Sequence, residues 1–210
     1  MSRLEWILTG LLAILVIFVL ALLLLFWSEQ RQVENFNRQV ATQQGSSARL
    51  RGTAQSAYEV VEPAARAWAA DAVLLRARGN WPVGAAFEPA QGSWSFLFYS
   101  PGRRAVALIV PDGDNGRVVS ESETEQRFDP AGLQRWQVDS PDVVEQLLAN
   151  GGHGFIAEHG ETSLIVALNA MDRLVWTATL NATRANKLFR LEIDPATGQI
   201  IAQPADQASQ

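Results

Sequence analysis

Six strand-like runs, separated by turn or loop signals, constrain this chain more than any other feature. They read SWSFLFYS (93–100), RRAVALIVPD (103–112), GRVVSESETEQ (116–126), TSLIVALNA (162–170), RLVWTATLN (173–181) and KLFRLEIDP (187–195). Short runs rich in β-branched and aromatic residues, broken by Pro-Gly and Asp-Gly signals, predict antiparallel strands joined by tight connections. In the third run Glu121, Glu123 and Glu125 share one face, a solvent-facing side that protects a sheet edge.

Two helices are expected, one ahead of each group of three strands. Val61, Ala64, Ala65, Trp68, Ala72 and Leu75 recur at helical spacing from Tyr58 onward, with Arg66, Arg76 and Arg78 off that stripe and Gly79 as the stop. The loop NWPVGAAFEPAQG (80–92) follows. Further on, Ser140 reads as an N-cap, Pro141 as the first helical residue and Asp142 as a first-turn acid. Val143, Val144, Leu147 and Leu148 form the buried face, and Asn150-Gly151-Gly152 ends the helix.

Shifting the chain by 82 residues sets Trp94 on Trp176, Asp112 on Asp194, Gly116 on Gly198 and Val118 on Ile200. The same shift aligns Ala107 and Ile109 with Phe189 and Leu191, while the helices do not keep it. The economical reading is an α+β fold in which a helix-plus-antiparallel-sheet unit is duplicated, with its strands in two sheets or one shared sheet.

The ending FRLEIDPATGQI (189–200), with Trp176 leading a strand upstream and a helix from Pro141 to Asn150 before it, resembles the closing hairpin of PepSY and PepSY-like domains. The likeness is good over about 140–203 and weaker over about 60–125, where the first turn, PDGDNG, is one residue longer. It implies a non-catalytic module of a secreted or membrane-anchored bacterial protein, with a binding, inhibitory or regulatory role toward a protein or peptide. The hairpin has a local explanation: the Asp194 carboxylate accepts from following backbone N–H groups, Pro195 presets φ, and Gly198 takes a positive φ. Trp94, Asp112, Gly116, Trp176, Asp194, Thr197 and Gly198 are therefore structural motif residues.

Ahead of all this, Trp6 to Trp27 is 22 residues without a charge. As a helix it spans about 33 Å, close to the thickness of a bilayer's apolar core. The run exceeds a signal-peptide core and no small-residue cleavage site follows it, so it reads as a retained single-pass anchor. Arg3 lies on one flank and Arg31 and Arg38 on the other, which leaves orientation open; the PepSY resemblance implies that the C-terminal portion is extracytoplasmic. The expected organisation is thus a flank (1–5), the anchor (6–27), a polar juxtamembrane helix or linker (28–57), a first α+β repeat (58–128), a second (129–203) and a flexible tail (204–210).

Little points to chemistry. A net charge of −5 with scattered basic residues argues against nucleic-acid binding. No cysteine is present, which excludes disulfides, thiol nucleophiles and thiolate metal sites. His153 and His159, with Glu158 and Glu161, lack helical zinc-site spacing and read as loop residues. Asp112, Asp114 and Asn115 evoke an acidic calcium loop, but its glycine falls at the fifth position with Arg117 following, so they read as a hairpin turn. No serine elbow or phosphate loop occurs. Trp68, Trp81, Trp94, Trp136 and Trp176 read as core. No catalytic residue, cofactor or metal is expected. The partner classes are the membrane, through one helix, and a protein or peptide. An accessory subunit of a membrane complex is the alternative, and a metal-dependent hydrolase using the two histidines is disfavoured.

Overall fold

The computed structural model describes residues 52–88 and 92–202. Helix α1 spans Ala54–Trp68, followed by strands β1 (Val73–Trp81), β2 (Ser93–Ser100), β3 (Ala105–Asp112) and β4 (Asn115–Glu123). A 3-10 turn at Leu133–Arg135 leads to α2 (Ser140–Leu147) and α3 (His153–His159). The chain then forms β5 (Ser163–Asn169), β6 (Val175–Ala182), β7 (Lys187–Ile193) and β8 (Ile200–Ala202). The strands make one antiparallel sheet in the order β4-β3-β2-β1-β5-β6-β7-β8.

The expected duplicated helix-plus-sheet ectodomain is corrected by this arrangement. β1 pairs with β2 on one side and β5 on the other, so all eight strands belong to one sheet. The helical parts also differ. α1 is one helix of 15 residues, whereas the second helical segment is broken between α2 and α3, where Asn150 leaves helical geometry and Gly151 sits at φ 119. β4 has nine residues and β8 only three.

The membrane reading is also corrected. No helix among the described residues is long and apolar enough to cross a membrane. The expected anchor at 6–27, its flank, most of the linker and the tail from 204 lie outside the described residues. The single-pass, extracytoplasmic placement is accordingly withdrawn.

A third difference decides where the functional surface lies. The helix expected to run to Gly79 stops at Trp68; Ala69 is extended at φ −153, and residues 73–81 become the central strand β1. Arg66 closes the helix by donating from Nη1 to the carbonyls of Ala70 and Ala72. β1 gains a hydrogen-bonding partner strand on each edge, which outweighs the high helix propensity of the Ala-rich junction. Strand alternation then divides its side chains: Ala77, Gly79 and Trp81 are buried, and Arg76, Arg78 and Asn80 face the opposite way.

The helices cover one face of the sheet. Val61 and Ala65 of α1 and Val143, Val144 and Leu147 of α2 share a single apolar core with Phe96, Phe98, Ile109, Leu168, Trp176, Leu180 and Leu191. Close approach of α1 to β4 demands a glycine, because a Cβ on Gly116 would stand 2.7 Å from Ala64 Cβ and 2.9 Å from Val61 Cα.

The two helix N-termini meet at Asp139 and Ser140. Asp139 Oδ1 accepts from Ser140 N at 2.6 Å and from Gln55 N at 3.1 Å, and Ser140 Oγ accepts from Ala54 N at 2.9 Å. Asp139, not Ser140, is thus the N-cap of α2. The segment is held from behind: Gln137 N and Val138 N both donate to Pro195 O, and Trp176 Nε1 donates to Val138 O.

Candidate functional site at the helix-free face of the sheet

Among the described residues no helix packs on the second face of the sheet. Antiparallel register defines its rows, since directly opposed residues share a face. One row runs Leu97, Arg76, Asn169, Val175, and the next runs Ser95, Arg78, Ala167, Thr177, Glu192. A third holds Ser93, Asn80, Ile165, Thr179 and Arg190. Hydroxyls, amides and guanidiniums dominate, and β1 places two arginines at the centre.

Arg76 and Arg78 are both half-buried and stand about 7 Å apart along the strand. Burial, and then the positive charge of Arg78, lower the Arg76 guanidinium from its ordinary value; burial does the same to Arg78. Both remain cationic at neutral pH. Arg76 is oriented by a relay across three strands. Its Nε donates to Asn169 Oδ1 at 2.8 Å, and Asn169 Nδ2 donates to Thr177 Oγ1 at 3.4 Å. Among the described residues no carboxylate pairs with Arg76 and neither of its Nη groups makes a hydrogen bond.

The acid on these rows, Glu192, is already engaged. It accepts from Arg173 Nη2 at 2.6 Å and Arg190 Nη2 at 2.8 Å. It also stands three strand spacings, about 14 Å, from β1. Arg76 therefore places a positive charge in a partly desolvated setting at the centre of the face.

The residues singled out from the sequence lie elsewhere. Trp94 and Trp176 are buried on the helix-covered face, Trp94 edge-on to Trp81 with ring centres 5.8 Å apart. Asp112 ends β3 and accepts from Arg117 Nε at 3.0 Å. Gly116 lies within β4 opposite Pro111; the turn glycine is Gly113, at φ 63. At the last hairpin Asp194 Oδ1 accepts from Ala196 N and Thr197 N, Thr197 Oγ1 accepts from Gln199 N, and Gly198 has φ 74. None of these lies on the rows that carry the arginine pair.

His153 and His159 are the two ends of α3, not loop residues. His159 packs edge-on against Phe155, and Glu161 pairs with Arg184. Among the described residues no group of three His, Asp or Glu side chains is placed to hold a metal ion. A separate cleft of about 450 Å3 lies beside Trp81, walled by Phe87, Pro141, Val144 and Leu148. Glu145 and His153 reach it without any hydrogen bond or ion pair between them, so it offers shape but no assembled chemistry.

Sequence reading assigned Arg76 and Arg78 to a helix flank and passed over Asn169 and Thr177. The signal that could have found them is the period-two pattern Leu75-Arg76-Ala77-Arg78-Gly79-Asn80-Trp81. No known protein family, curated protein or solved structure compared with this chain matches it.

Proposed function

We propose that this protein is a non-catalytic binding or regulatory module that docks a protein or peptide partner on the helix-free face of its sheet. The observation that supports the reading is the half-buried Arg76, set beside the like-charged Arg78 and oriented by Asn169 with no carboxylate partner among the described residues. Holding the Arg76 guanidinium in a partly desolvated place with no carboxylate partner among the described residues costs folding free energy, a cost expected at binding surfaces and out of place on a purely structural one. The resemblance of residues 189–200 to a PepSY-like ending supports the same class of role.

The test is site-specific photo-crosslinking in the native cell. A photoreactive residue at Leu97 or Thr179 is expected to capture a discrete partner, while one at Arg66, on the helix side, is not. Capture from position 66 alone would overturn the proposal.

A further inference from the structure

The geometry points to a carboxylate as the group that Arg76 receives from the partner. We infer that an Asp or Glu side chain, or a chain terminus, is bound end-on by the two Nη groups of Arg76. This rests on the docking reading above and adds the chemistry of the contact.

A guanidinium offers a carboxylate two bidentate edges, one made by Nε with an Nη and one made by the two Nη groups. Asn169 occupies Nε, which removes the side-on edge and leaves the end-on edge as the two-point site. Asn169 is itself held through Thr177, on the next strand, so the guanidinium plane is set before any ligand arrives. Preorganisation of this kind lowers the side-chain entropy lost on binding. Arg78, about 7 Å along the same strand, adds attraction without competing for that edge. Its repulsion of Arg76 in the free protein is offset when a negative charge arrives. Polar groups suited to a carboxylate stand close by: Ser95 and Thr177 lie on the neighbouring row. Asn169 acts through Arg76 and is a positioning residue.

The probe is a blocked hexaglutamate peptide titrated into the 210-residue chain, with its hexaglutamine counterpart and inorganic phosphate as separate arms. Binding is read by calorimetry and by the Arg76 Nε–Hε resonance. Hexaglutamate is expected to bind, weaken steeply with added salt and move that resonance, while hexaglutamine does neither. Arg76→Lys keeps the charge but loses the planar fork, and a loss of about tenfold or more is expected. Asn169→Ala is expected to weaken binding several-fold, with Asn169→Gln recovering part of the loss. Equal binding of hexaglutamine, or undiminished binding by Arg76→Lys, overturns the inference. Equally strong phosphate binding also overturns it, by making the site a general anion site. Failure here while position-97 crosslinks persist removes only the carboxylate contact; loss of those crosslinks in favour of position 66 removes the docking face as well.

Discussion

Replacing Asp139 by Ala should destabilise the fold out of proportion to one surface carboxylate, because that group serves two helices. Its Oδ1 caps α2 through Ser140 N at 2.6 Å and reaches Gln55 N of α1 at 3.1 Å. Loss of an N-cap costs about 1 kcal/mol. Loss of a second backbone bond to a charged acceptor, discounted for partial exposure, adds roughly another 1 kcal/mol. Proximity to the positive ends of two helix dipoles adds a few tenths each. The expected total is about 2–3 kcal/mol, a fall of roughly 4–12 °C in Tm for a protein of this size. Asp139→Asn keeps an oxygen acceptor and forfeits only the charge, so it should lose about 1 kcal/mol or less. Ser140→Ala strands the N–H of Ala54, which is fully buried, and should cost about 1–3 kcal/mol. The double variant should fall short of the sum, since both side chains serve one junction. Urea unfolding followed by tryptophan fluorescence measures all four. A loss under about 0.5 kcal/mol for Asp139→Ala, or an equal loss for Asp139→Asn, would refute the shared-cap argument.

Gly116→Ala should cost about 1–3 kcal/mol, because the added methyl must push α1 away from β4; Gly113→Ala should weaken the hairpin by its positive φ instead, and urea midpoints with hydrogen exchange at β4 separate the two effects. Tyr58 gives a pH prediction. Burial, and then the neighbouring Glu62, push its hydroxyl up to about 12, above the unfolded value near 10. The folded state therefore holds a proton that the unfolded chain releases. The stabilisation is fully present below pH 10 and is lost as pH rises toward 12. Urea midpoints should fall between pH 10 and pH 11.5, and Tyr58→Phe should remove most of that slope; an unchanged slope would contradict the assignment.

The legible parts of this fold were those whose signal is local. The β2–β3–β4 and β5–β6–β7 runs are rich in β-branched and aromatic residues, and the turns after β2, β3 and β7 carry Pro-Gly, Asp-Gly and Thr-Gly, so strand identity could be read directly. The α2 start was read within one residue because Ser140-Pro141-Asp142 spells a helix entry. β1 was missed for a physical reason. Ala69-Ala70-Asp71-Ala72 contains no helix breaker, and Leu75 continues the helical stripe by coincidence of phase. What turns that segment into a strand is pairing with β2 and with β5, about 90 residues further on, and such long-range pairing leaves little trace in a local window. Every consequence for the site follows from that one misassignment. On a helix, Arg76 and Arg78 point in different directions as ordinary solvated cations; on a central strand they point the same way, into a partly desolvated face beside Asn169 and Thr177. The period-two spacing was visible, but its meaning depended on the sheet that surrounds it. A double-mutant cycle between Arg76→Gln and Arg78→Gln measures that dependence. On one face at about 7 Å, like charges repel by about 0.6 kcal/mol in water and up to about 2.4 kcal/mol at an effective dielectric of 20, with half exposure favouring the lower end. The coupling should therefore lie near 0.5–1 kcal/mol in low salt and shrink in high salt. A coupling of zero at low salt would mean that the two cations do not share a field, and the charge argument for the docking face would fall with it.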